Sequence, residues 1–170
     1  MNLIGIGIEK IDTKTSEGRI EQGEKYEKIL DDILIEYKTN FKRISETKKY
    51  SWYDFIKYDK ITKLPPILIE LKSKNINDTS NINNKNINFI SSHKINKFIA
   101  FKSKYKDARL IFVFCTIYNF EKYEYTIYEV DLELFENGTF FTTTIKNGGK
   151  LFEVRIRFFK PLLENIDNLI

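Results

Sequence analysis

Cysteine and histidine each occur once in this chain of 170 residues, proline three times and glycine seven. A lone cysteine, Cys115, excludes an internal disulfide, and a lone histidine, His93, excludes zinc centres built from Cys and His clusters. So few prolines and glycines exclude a collagen-like or linker-like chain. No window approaches ~18 uninterrupted apolar residues, the length a membrane helix needs. The first dozen residues carry Glu9, Lys10 and Asp12 where a signal peptide needs an apolar core. The expectation is a soluble, cytoplasmic protein with no membrane partner. What is present is 42% hydrophobic, 31% charged and 15% aromatic residues, a balance that folds, in a length that suits one domain.

The net charge of +4 hides an uneven distribution. Residues 38–106 hold 16 Lys and Arg against 5 Asp and Glu, whereas the rest of the chain holds 12 against 19. A basic middle between acidic ends suits a chain that presents one face to a polyanion. A solvated lysine-rich surface is the alternative, since Lys, Asn and Ile are all abundant.

Apolar residues at Tyr26, Ile29, Leu30, Ile33, Leu34 and Tyr37 repeat at helical spacing and predict a helix over 21–37. The aromatic stretch 48–59 and the β-branched run after Pro65-Pro66, Ile67 to Lys72, predict a β-hairpin with its turn at 60–64. Residues 75–90 contain seven asparagines and no helical period, which predicts a loop. Ser91 and Ser92 offer caps for a second helix with Ile95, Phe98, Ile99 and Tyr105 on its buried stripe. Leu110 to Tyr118 is a nearly continuous apolar run, as expected of a central strand covered on both faces. Beyond it, 125–132, 139–145 and 151–159, separated by Asn-Gly turns at 137–138 and 147–148, predict antiparallel hairpins, with a short helix after Pro161. The order is that of a mixed α/β layer.

Alternation along 67–74 sends Glu70 and Lys72 to one face of their strand and Ile67, Ile69 and Leu71 to the other. A hairpin turn centred near Thr62 places Asp54 opposite Glu70. Two carboxylates facing each other repel unless a positive group sits between them, and a hard divalent cation beside Lys72 is the simplest candidate. Asp59 is a rival to Asp54, requiring a tighter turn at Leu64-Pro65. On the first helix Glu27 lies about 60° from Leu30, at the rim of the apolar stripe, and so is better placed than Glu24 to supply a third carboxylate. Asp31 is a possible partner for it.

In these stretches, GEKYEKILDDIL (23–34), YDFI (53–56), ILIELKSK (67–74) and SSHKINKF (91–98) followed by LIFVFC, the chain resembles the PD-(D/E)XK nuclease superfamily. That superfamily's core runs helix with glutamate, strand with aspartate, strand with Glu-x-Lys, helix, strand. Tyr53 stands where its name-giving proline would be. The resemblance implies a restriction-endonuclease-like α/β fold, a central mixed β-sheet flanked by helices, with the core over about 20–118 and a C-terminal β extension over 119–170. It implies a metal-dependent endonuclease acting on DNA, similar to Holliday-junction resolvases or small type II restriction enzymes and working as a homodimer without an organic cofactor.

On that resemblance Asp54, Glu70 and the backbone carbonyl of Leu71 would hold Mg²⁺, with Mn²⁺ as a substitute, and Glu27 would ligate through water. Lys72 would orient the attacking water or stabilise developing negative charge. His93 and Lys94 at the start of the second helix would bind a phosphate, and Lys48, Lys49, Lys57, Lys60, Lys63 and Lys74 would meet the backbone of the nucleic acid. For Tyr50, Trp52 and Tyr53, packing against the protein is the expectation ahead of base stacking. Two alternatives stay open: a nucleic-acid-binding module that keeps the fold without cleavage, and a ribonuclease using the same site. Other signals carry less. Gly5-Ile6-Gly7 lacks the third glycine and following helix of a dinucleotide fingerprint, and Cys115 sits in the most apolar run as a buried side chain. No Gly-x-Ser-x-Gly setting accompanies the single histidine, which sets Ser-His-Asp chemistry aside. Arg155 and Arg157 share one face of the last strand, where solvation is the expectation.

Overall fold

The computed structural model describes residues 2–6, 15–44, 52–58, 61, 64–76, 87–118, 122–145, 148–155 and 160–161. Asp59, Lys48, Lys49, Lys60, Lys63, Tyr50 and Arg157 lie outside them, as do residues 162–170, where the closing helix was expected.

Helix α1 (Ser16–Glu36) starts at Thr15, whose hydroxyl accepts the Gly18 N–H at 3.0 Å, and buries Tyr26, Leu30 and Leu34 as the sequence spacing requires. Ile29 and Ile33 flank that stripe, whereas Tyr37 is exposed because the helix ends one residue before it. The end is a Schellman turn. Thr39 N–H reaches the Leu34 carbonyl at 3.1 Å and Lys38 N–H the Ile35 carbonyl at 2.9 Å, with Lys38 in the left-handed region at φ 54°.

At the centre of the main sheet, β4 (Ile67–Ile76) and β6 (Arg109–Tyr118) run parallel, with Glu70 paired to Phe112 and Lys72 to Phe114. On one side of them lie β3 (Phe55–Lys57), antiparallel to β4, and then β2 (Lys42–Arg43). On the other lie β7 (Lys122–Glu129), antiparallel to β6, and β1 (Asn2–Ile6), while β10 (Lys160–Pro161) also pairs with β7. Within β1, Gly5 faces Tyr123 so closely that a Cβ would lie 2.2 Å from the ring.

The crossover from β4 to β6 passes through β5 (Ile87–Ser91) and helix α2 (Ser92–Lys104). Strand β5 corrects the expectation of a loop over the whole of 75–90: β4 runs on to Ile76, and 87–91 forms a ladder with β9 (Lys150–Arg155) in a second sheet of order β5-β9-β8, where β8 is Phe141–Thr144. The buried side chains of Asn88 and Ile90 show why an asparagine-rich segment can still be a strand, since alternate residues alone must face the core. The hairpin expected between 125–132 and 139–145 is likewise corrected. The short helix α3 (Glu133–Glu136) separates β7 from β8, which belongs to the second sheet. Tyr105, expected within α2, is its C-terminal cap residue.

The main sheet is covered on both faces, and the eight interior residues of β6 are all buried. α1 packs over Ile69, Leu71, Ile111, Val113, Cys115 and Tyr125. On the opposite face Leu68, Phe112 and Phe114 meet Ile95 and Phe98 of α2 and Ile90 and Val154 of the second sheet, so the two sheets share one core. Burying each such Leu, Ile or Phe is worth ~1.5–3 kcal/mol. The protein is therefore an α/β fold with a mixed sheet flanked by helices. No helix among the described residues is long and apolar enough to cross a membrane.

Candidate functional site

The site is a fork between β3 and β4. Pairing runs from Lys57 opposite Ile67 to Phe55 opposite Ile69, the register expected from a turn near Thr62, and then the strands part. Continued by one residue, that register brings Asp54 and Glu70 together at the mouth of the fork. The Asp54 backbone is fixed on both sides: its N–H donates to the Ile69 carbonyl and its carbonyl accepts the Ile44 N–H, each at 2.8 Å. Its carboxylate Oδ2 accepts the Leu71 N–H at 2.6 Å. Since the N–H and C=O of a strand residue point to the same edge, the Leu71 carbonyl faces the fork too. Just ahead of Asp54, Trp52 anchors the segment on α2 through Phe101 and Phe98, with ring centroids 5.7 and 6.2 Å away, and packs edge-on to Tyr53. Packing, not an open stacking surface, is what these two aromatics provide.

Both carboxylates are buried, Asp54 to 8% exposure and Glu70 to 1%. Burial pushes the Asp54 carboxyl up to about 8, with help from the charges of Glu70 and Glu27 and against the pull of Lys94 and the Leu71 hydrogen bond. Glu70 is held by two ammonium groups. Lys72, two residues along the same face of β4, and Lys94, in the first turn of α2, both pair with its Oε1. Burial works to lower the Lys72 ammonium, but the charge and hydrogen bond of Glu70 and the charge of Asp54 outweigh it and hold the group above its ordinary value. The other carboxylate oxygen of Glu70, Oε2, is buried and has no hydrogen-bond partner among the described residues. A buried anionic oxygen in that condition is costly, and it marks a position where a further positive group or donor fits.

The remaining residues singled out in the sequence are spread around this fork. Glu27 stands on the α1 side of the sheet, half-buried, with its Oε2 paired to Arg43 Nη2 at 3.3 Å. Glu24 is exposed, as its position on the helix requires. Lys74 donates to the Ile87 carbonyl at 3.0 Å and so ties β4 to β5. Lys57 sits opposite Ile67, at the far end of the β3–β4 ladder from Asp54. His93 is exposed on α2 beside Lys94. Arg155 lies beside Glu153, with nitrogen and oxygen 3.5 Å apart. Cys115 is buried and its thiol is pushed up by burial, which disfavours the nucleophilic thiolate.

Sequence reasoning assigned Lys94 to phosphate and missed its contact with Glu70. The signal available was a lysine in the first turn of a helix, where a cation opposes the helix dipole and needs an anion nearby.

Oxygen donors from Asp54, Glu70 and the Leu71 carbonyl form the donor set that a hard cation such as Mg²⁺ takes, and the orphaned Glu70 Oε2 is consistent with one. Among the described residues, no three Asp, Glu, His or Cys side chains gather into one metal-holding group. Compared with known proteins, the chain matches no family model, no curated protein and no solved structure.

Proposed function

We propose that the chain is a metal-dependent endonuclease of restriction-endonuclease-like fold that hydrolyses phosphodiester bonds in DNA. The observation that carries this reading is the buried Glu70, orphaned at Oε2, set at a strand fork with Asp54 and flanked by Lys72. In this reading Asp54, Glu70 and the Leu71 carbonyl hold Mg²⁺ or Mn²⁺. When bound, such an ion supplies a lowered pKa for a coordinated water and polarises a phosphate oxygen. Lys72, fixed by the strand beside Glu70, orients the nucleophile and offsets the charge that develops on the phosphate. The Asp54 backbone, tied at both its N–H and C=O, keeps the carboxylate at the fork as substrate binds. In this reading His93, exposed on α2, meets the phosphate backbone. A homodimer would bring two such sites to two strands.

A second reading has one observation in its favour: Glu70 already carries two lysine partners. A module that binds nucleic acid without cutting it needs no more than that. The test is incubation with linear duplex, single-stranded and four-way-junction DNA and with single-stranded RNA, with and without Mg²⁺ or Mn²⁺, beside Lys72→Ala and Asp54→Asn. Metal-dependent cutting that both substitutions abolish supports the nuclease, and the preferred substrate assigns its class. Binding of DNA without cleavage by a folded wild type rejects it in favour of the module.

A further inference from the structure

Two ammonium groups share a single carboxylate oxygen while its twin has no partner among the described residues, an asymmetric and self-repelling arrangement. The two lysines differ in what fixes them. Lys72 is bound to Glu70 by the strand itself, two residues away on one face. Lys94 comes from a separate element, reaching across from the first turn of α2 on a flexible four-carbon stem, with about a quarter of its side chain exposed (26%). Its own helix offers it little: no acidic residue shares that first turn, and the dipole there disfavours a cation. Glu70 is what keeps Lys94 in place. With Asp54 and Glu70 ionised, the two lysines already balance them, and a divalent ion would leave two surplus positive charges in a site screened from water.

We propose that Lys94 is an exchangeable counter-ion, holding Glu70 in the metal-free protein and released from it when a divalent cation binds, so that lysine and metal compete for one carboxylate. This rests on the metal-dependent reading above and adds a device to it. The released ammonium stands beside His93, where a substrate phosphate would arrive, so that metal loading prepares the anion-binding side of the site.

The test uses Mn²⁺ alone, with no nucleic acid, titrated calorimetrically into the full chain. Lys94→Met, which keeps the stem and removes the charge, is expected to bind Mn²⁺ about tenfold more tightly than wild type. Lys94→Arg is expected to stay near wild type, and Glu70→Gln to lose binding. Amine acetylation mapped by mass spectrometry should show Lys94 of the wild type becoming several-fold more reactive when Mn²⁺ is added. If wild-type binding depends on Glu70 but Lys94→Met binds no more tightly, or Lys94 reactivity does not change, Lys94 is a fixed structural partner and the inference fails while the metal site stands. If folded wild type and Lys94→Met both fail to bind Mn²⁺, the inference and the metal-dependent reading fall together. Should Lys94→Met not fold, Lys94→Gln replaces it under the same criteria.

Discussion

The Asp54 carboxylate accepts the Leu71 N–H at the point where β3 leaves β4, so a side chain takes over from the backbone as hydrogen-bond acceptor. Asp54→Asn keeps an acceptor and removes an ionisable buried carboxyl, whereas Asp54→Ala leaves the N–H buried and unpaired. The alanine variant is expected to lose about 1–3 kcal/mol of stability in urea denaturation, and the asparagine variant to match or exceed wild type. Both are expected to lose metal-dependent cleavage, which separates the structural from the chemical use of this residue.

The same carboxyl gives a pH dependence of defined sign. Its folded value of about 8 lies above the ordinary value near 4, so the folded protein holds this proton more tightly than the unfolded chain does. The contribution is complete below about pH 4 and is lost as pH rises through about 8. Metal-free wild type is therefore expected to lose stability relative to Asp54→Asn across that interval, with no further divergence above it. Paired thermal melts from pH 4 to 9 in the presence of a chelator measure the difference. A divergence that grows toward acid would contradict it.

Glu27 is engaged by Arg43, and this sets it apart from the pair at the fork. Glu27→Gln is expected to keep cleavage within about tenfold of wild type, while Glu70→Gln falls by more than about a hundredfold. Arg43→Met, which strands a half-buried carboxylate, is expected to cost about 1–3 kcal/mol in stability. Rate measurements at saturating Mn²⁺, with denaturation curves for the same variants, distinguish a local ion pair from a direct role at the metal.

Lys38 closes α1 at φ 54°, where a Cβ is unfavourable. Lys38→Gly is expected to raise stability by up to about 1 kcal/mol with no effect on DNA cleavage, since the Schellman turn puts no demand on the side chain. Guanidinium denaturation resolves a change of that size.

Much of this site was legible in the sequence because the relevant constraints were local. Pro65-Pro66 marks where β4 can begin, alternation fixes which of its residues share a face, and a short connection fixes the register that brings Asp54 to Glu70. α1 was legible down to its three most buried residues, Tyr26, Leu30 and Leu34, because helical spacing reports burial directly. Strands β2 and β5 were not. Lys42-Arg43 has no apolar pattern, and Ile87 to Ser91 owes its structure to a partner strand more than fifty residues later. The hairpin signal of β8 and β9 was correct, but a turn does not say which sheet its strands will join. Lys94 was placed on the correct helix and turn. Its contact with Glu70 depends on how α2 lies across the sheet, a tertiary matter that residue spacing does not encode.

The connectivity of β4 also orders events in time. Its partner β3 is close in sequence, so a hairpin can bring Asp54 and Glu70 together early, while Lys94 arrives only when the long crossover through β5 and α2 closes onto β6. Until then the two acids face each other with Lys72 alone beside them. Refolding of this chain is therefore expected to be slowed by its own carboxylate repulsion and, in stopped-flow measurements, to speed up in mildly acidic solution, which supplies protons to the pair.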